Sequence, residues 1–194
     1  FSIIISPLLI VLRFAYRTAL PAPRGLPYNR TSLHARRREE LLDRIQLNHR
    51  KFVDEVAWRW IPAKGPLISC LVALHGMGQD GSVMARKLKP FSDRGVALLI
   101  PDGPYRFEIR GRDSIREGHS WYIYTGDQDR FLKSLETTEK DLLDLVEPIL
   151  DEHRVKAPQT TLLGFSQGGY LAGFTACRNP HRFGNCVIAS ARQK

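Results

Sequence analysis

Thr160-Thr161-Leu162-Leu163-Gly164-Phe165-Ser166-Gln167-Gly168-Gly169 joins a β-branched, apolar run to a stretch of small residues, and Gly-x-Ser-x-Gly marks the junction. The first half has the composition of a buried strand. The second continues through Ala172, Gly173 and Ala176, small residues that let a helix pack close to a sheet. A serine at a sharp strand-to-helix turn brings the residues two before and two after it together, so both must be small. Gly164 and Gly168 meet that demand. The stretch therefore reads as a nucleophile elbow with Ser166 as the candidate catalytic residue. Its plain rival is a glycine-rich turn without chemistry, and the flanking composition argues against it.

Working outward, strand and helix signals alternate on both sides of this corner. Val56 to Ile61 reads as a half-buried strand and Leu67 to Leu74 as a fully buried one. Ser82 to Phe91 reads as a helix, Val96 to Ile100 as a strand, and the segment from Asp102 to Asp127 as a long loop. Asp129 to His153 has helical periodicity, with Leu132, Leu135, Leu142, Leu145, Val146 and Ile149 inward and a kink expected at Pro148. Cys186 to Ala189 follows as a last strand. Strands separated by helices imply an α/β class, a three-layer αβα sandwich around a mostly parallel sheet.

In such a sheet the carboxyl ends of the parallel strands share one edge, so Leu74-His75-Gly76-Met77-Gly78-Gln79 and Ser166 are expected side by side. Acyl transfer creates an oxyanion. It is held by a backbone N–H just after the nucleophile and one from a His-Gly-rich turn. Gln167 and Met77 are the natural candidates for that oxyanion hole.

Three segments together resemble the α/β-hydrolase phospholipase/carboxylesterase family, which includes the acyl-protein thioesterases. They are Leu74-His75-Gly76-Met77-Gly78, then Ile100-Pro101-Asp102-Gly103-Pro104 followed by His119-Ser120-Trp121-Tyr122, and then Gly164 to Gly169. The similarity covers about residues 55 to 190 in the right order. It implies hydrolysis of carboxylic esters or thioesters through an acyl-enzyme intermediate, with no cofactor or metal and a small-molecule or lipid ester as partner. The family's nucleophile falls on Ser166 and its oxyanion donors on Met77 and Gln167. Substrate-binding positions fall on His75, Gly76 and Trp121.

The pattern departs from the family after the serine. The triad of this fold runs Ser, then Asp or Glu, then His along the chain. Beyond Ser166 there is no Asp or Glu, and the single histidine is His181. His153 and His181 are expected at the opposite edge of the sheet, and His75 within the oxyanion turn. His119 lies on the correct edge without a family role. The expectation is therefore an inactive fragment of a longer hydrolase, its sheet lacking the last strands and leaving an apolar edge at Cys186. A non-catalytic ester- or lipid-binding module of the same fold is the alternative.

Composition sets outer bounds. The 194 residues carry 29 Lys and Arg against 20 Asp and Glu, a formal charge of +9. The basic residues are dispersed apart from Arg36-Arg37-Arg38 and the segment from Arg106 to Arg116. With no aromatic-interleaved basic strand or zinc-finger spacing, nucleic acid is not the expected partner. Cys70, Cys177 and Cys186 have no metal-ligand spacing and read as buried reduced thiols. Residues 1–25 read as an apolar leader or disordered extension, too short in its apolar part for a confident membrane span. Residues 26–54 read as a linker and an amphipathic helix, and 55–194 as the hydrolase domain. A cytoplasmic setting is favoured, with export or membrane contact left open to the N-terminal segment, and oligomeric state is not legible.

Overall fold

A computed structural model describes residues 55–191, all within one unit of the chain, Phe52–Lys194. The leader, linker and amphipathic helix read between residues 1 and 54 lie outside the described residues. The described elements are β1 (Trp58–Ile61), β2 (Ser69–Leu74), α1 (Gly81–Ser92), β3 (Val96–Pro101), β4 (Tyr105–Arg110) and β5 (Ile115–Ser120). They continue with α2 (Gln128–Glu152), a 3₁₀ turn at Ala157–Gln159, β6 (Thr160–Phe165), α3 (Gln167–Arg178) and β7 (Asn185–Ala189).

Five strands form one sheet in the order β1-β3-β2-β6-β7. β1 is antiparallel to β3, and the remaining pairings are parallel. Successive side chains on a strand point to opposite faces, so a sheet buried on both sides needs apolar residues at every position. Cys70 to Leu74 of β2 and Val96 to Pro101 of β3 supply them. Cys70, Val72 and Leu74 of β2 with Ala97 and Leu99 of β3 pack into one core with Leu135, Leu142 and Val146 of α2 and Leu171 and Ala172 of α3. The intervening Ala73, Leu98 and Ile100 pack with Met84 of α1 on the other side. Two helical layers thus sandwich the sheet, as its sequence predicts.

Several expectations need correction. The segment read as a loop after Ile100 contains the antiparallel hairpin β4–β5. In β4 the half-buried Tyr105, Phe107 and Ile109 alternate with the exposed Arg106, Glu108 and Arg110, a period-two pattern in which the charges conceal the strand. Leu132 is 46% exposed, because the start of α2 reaches past the core that takes Leu135 one turn later. Only Cys70 is buried; Cys177 and Cys186 are exposed. Cys177 sits in the last turn of α3, and Cys186 on β7, whose pairing among the described residues is with β6 alone.

Candidate functional site

The site is built where β2 and β6 end together. Their parallel register pairs Leu74 with Gly164, so the turn after β2 and the corner after β6 emerge at the same level. Ser166 occupies that corner with φ 53° and ψ −115°, a positive-φ conformation that costs a non-glycine residue about 1–3 kcal/mol. Its N–H donates to the Ala189 carbonyl at 2.8 Å, which ties the corner to the end of β7. A Cβ on Gly164 would fall well inside contact distance of the Gly168 carbonyl, and one on Gly168 would sit 2.5 Å from the His75 oxygen. The glycine spacing read from the sequence thus reflects three pieces of backbone in near contact.

The turn after β2 lies against this corner, since a Cβ on Gly76 would stand 3.4 Å from the Ser166 Cβ. Within it the Gly76 N–H donates to Gln79 Oε1 at 3.2 Å, the Gly78 N–H to the His119 carbonyl at 2.8 Å, and the Gln79 N–H to the Gly76 carbonyl at 3.1 Å. The Met77 N–H has no acceptor among the described residues, nor has the Gln167 N–H at the start of α3. Hairpin β4–β5 braces the turn from outside. Arg116 Nη1 donates to the Gly78 carbonyl at 2.6 Å, and the His119 N–H to the Gln79 carbonyl at 3.1 Å.

His75 is fully buried. Its Nε2 accepts the Gly103 N–H at 2.9 Å, so Nδ1 carries the proton and donates to the Gly76 carbonyl at 2.8 Å. Burial lowers its pKa, and the ring is neutral with both nitrogens occupied. Trp121, 1% exposed, donates Nε1–H to the His75 carbonyl at 2.8 Å, and its own carbonyl accepts from Thr138 Oγ1 of α2. His119 is buried too, with Nδ1 on the Gly103 carbonyl at 2.9 Å and Nε2 facing Glu117 at 3.1 Å. His153 stacks on Trp60 with ring centroids 3.8 Å apart, and His181 borders a separate cavity beside α2. Ser166 Oγ makes no hydrogen bond among the described residues.

A cavity of about 580 Å³ opens beside the corner, and Ser166, Gln167 and Met77 line it. Of the other positions singled out in the sequence, His75, Gly76 and Trp121 do not reach its wall. His75 and Trp121 stand behind it and hold the turn in place. Sequence reasoning missed two contributions. One is the Gln167 side chain, whose Oε1 accepts from the Trp121 N–H at 2.9 Å while Nε2 donates to Ser120 Oγ at 2.8 Å and to the Tyr122 carbonyl at 2.9 Å. The other is the set of tyrosines on the wall, Tyr105, Tyr122, Tyr124 and Tyr170. Asp102 belongs to the segment Ile100-Pro101-Asp102-Gly103-Pro104. It is buried, and its Oδ1 takes Arg59 Nη1 at 2.8 Å and the Gly81 N–H, pinning the start of α1 to the end of β3.

Among the described residues no group of three or more His, Cys, Asp or Glu is arranged to hold a metal ion, and no helix is long and apolar enough to cross a membrane.

Comparison with curated protein sequences gives no match. Solved structures share the fold. Esterase PE8 aligns with a TM-score of 0.57 at 24% identity over 71% of this chain and 65% of its own. A Bacillus cereus carboxylesterase aligns at 0.53 and 14% over 71% and 64%. YahD, solved with malic acid, aligns at 0.53 and 16% over 72% and 68%. The chain therefore spans about two-thirds of the length of these proteins, and the likeness identifies an α/β-hydrolase fold. The model of the phospholipase/carboxylesterase family matches residues 61–193, which include the sheet from β2 onward and the Ser166 corner, and the chain belongs to that family.

Proposed function

We propose that this chain carries the nucleophile and the oxyanion hole of a serine hydrolase acting on carboxylic esters or thioesters. Ser166 attacks the acyl carbon, the Met77 and Gln167 N–H groups receive the oxyanion, and an acyl-serine forms that water later releases. The observation that carries the reading is the meeting of three groups on one cavity. A serine at a positive-φ corner stands beside two main-chain donors that have no acceptor among the described residues. Main-chain donors fixed in place beside the nucleophile are what a developing negative charge requires.

The proton's route is the part not supplied here. Each described histidine has its ring engaged elsewhere or lies away from the cavity. We therefore read the chain as the acyl-binding half of the machinery, slow by itself, with the base and its carboxylate partner to come from outside the described residues. A small soluble base can stand in for the missing one. With a p-nitrophenyl ester, added imidazole is expected to speed acylation of Ser166 at least tenfold, the adduct being read by intact mass. Ser166→Ala removes the adduct. Equal labelling of the two proteins refutes the reading.

That Ser166 Oγ makes no hydrogen bond among the described residues also favours a second reading, a module that binds esters or lipids without cleaving them. That protein shows ligand binding but no imidazole-dependent adduct.

A further inference from the structure

Five of the eleven residues around the cavity beside Ser166 are aromatic. Tyr105 and Phe107 come from the hairpin, Tyr122 and Tyr124 from the segment after β5, and Tyr170 from α3. Behind three of them stands Phe131 of α2. Its centroid lies 5.2 Å from Tyr122, 5.2 Å from Tyr124 and 5.7 Å from Tyr170, at interplanar angles of 73°, 75° and 48°. Tyr122 and Tyr170 meet at 5.8 Å and 63°. These are the edge-to-face and tilted arrangements that aromatic rings prefer. That part of the wall is also preformed, because each of these tyrosine rings has few torsions and packs against Phe131. The phenol hydroxyls of Tyr122 and Tyr170 make no hydrogen bond among the described residues. Burial, with Tyr170 adding to it, pushes the Tyr122 phenol up to about 12, so it remains a neutral donor through the whole working range of pH.

We propose that the cavity binds the acyl part of the substrate and that this acyl group is aromatic: one ring, a few bonds from the carboxyl carbon, bearing a polar substituent that meets the Tyr122 and Tyr170 hydroxyls. The assignment rests on the reading of Ser166 as nucleophile for which end of the ligand is the carboxyl carbon. A ring gains from each wall ring beyond the area it covers, whereas a flexible alkyl chain gains only area and loses rotational freedom along its length. An alkyl channel would be walled by aliphatic side chains, and here only Ile123 and Met77 are of that kind. The volume suits a substituted ring, within the usual span of small-molecule sites.

The test is ligand binding to the Ser166→Ala form of this chain, followed by ligand-observed NMR, with 4-hydroxycinnamate and decanoate as probes matched in non-hydrogen atoms. Binding of 4-hydroxycinnamate about tenfold tighter is expected, with the preference falling severalfold in Tyr170→Leu and Tyr105→Leu. Tyr105 is half-buried on the hairpin and outside both core clusters, so that variant is readable even if Tyr170→Leu does not fold. Decanoate binding as tightly, or a preference that survives in Tyr105→Leu, overturns the proposal. The Ser166→Ala form cannot be acylated, so its binding reports on the cavity alone. An aromatic preference without imidazole-dependent acylation of the parent chain removes the hydrolase reading and leaves the aromatic site. Acylation with decanoate preferred does the reverse.

Discussion

Replacing Gln167 with alanine separates what this residue's main chain does from what its side chain does. The N–H that would face an oxyanion is untouched, while the amide that grips the segment after β5 is gone. Three part-buried groups then lose their partner: the Trp121 N–H at 2.9 Å, the Tyr122 carbonyl at 2.9 Å and Ser120 Oγ at 2.8 Å. Ser120 can still donate to the Tyr122 carbonyl at 2.7 Å, which leaves the Trp121 N–H as the group most exposed to loss. At about 1–1.5 kcal/mol for each of two net bonds, the expected destabilisation is about 2–3 kcal/mol. For a unit of this size that corresponds to a fall in Tm of about 5–10 °C. Denaturant melts of the two proteins measure the first figure and calorimetry the second. Gln167→Glu sharpens the test. Its carboxylate can still accept from the Trp121 N–H but sets an anionic oxygen against the Tyr122 carbonyl, so its stability deficit should shrink as acid protonates the new side chain and restores a donor. A loss below about 0.5 kcal/mol in Gln167→Ala, or a Gln167→Glu deficit that ignores pH, refutes the claim that this amide anchors the segment.

Three other outcomes follow from the same geometry. Ser166→Gly relieves the positive-φ backbone and is expected to raise stability by about 1 kcal/mol in a denaturant melt while removing any acyl adduct. His75 is held neutral, its folded pKa below the unfolded value of about 6.5, so the unfolded chain binds the extra proton. Stability should be full above that pH and decline as pH falls through and below it, a slope that His75→Gln flattens in melts taken between about pH 7 and pH 5. Glu139 of α2 is buried under Arg178, bound at 2.9 and 3.2 Å, and Asn179 at 2.7 Å, both at the end of α3. Glu139→Ala should cost about 1–3 kcal/mol, less than the roughly 3–5 kcal/mol of a fully buried pair, because the Arg178 side chain is half exposed and can rehydrate.

The sheet was legible in the sequence because β2 from Cys70 to Leu74 and β3 from Val96 to Pro101 are apolar on both faces, and β6 adds a β-branched and apolar run, a pattern that burial on both faces explains. The corner was legible because glycines at Gly164 and Gly168 answer a local steric demand that one segment meets by itself. The hairpin was not, since Arg106, Glu108 and Arg110 gave its outward face the look of a loop. The cavity wall was less legible still. Its rings come from β4, from the segment after β5 and from α3, and no spacing within one segment announces that they converge. Gln167 was half legible: the motif points to its N–H, but its amide acts on residues more than forty positions away. Cys186 misled because an apolar run reads the same at a sheet's centre as on a strand paired on one side.

The pairing of Leu74 with Gly164 has a consequence for how tolerant this architecture is of change. Neighbouring strands can shift only in steps of whole residues, each about 3.3 Å long, and an odd step would turn every side chain of a strand to the wrong helical layer. The distance between a serine and two amides contributed by segments some ninety residues apart is therefore quantised by oily packing far beneath them. The strand register survives changes in the outer loops, because it is set by packing beneath the rim, while rim contacts such as Arg116 to the Gly78 carbonyl hold the turn in its detailed shape.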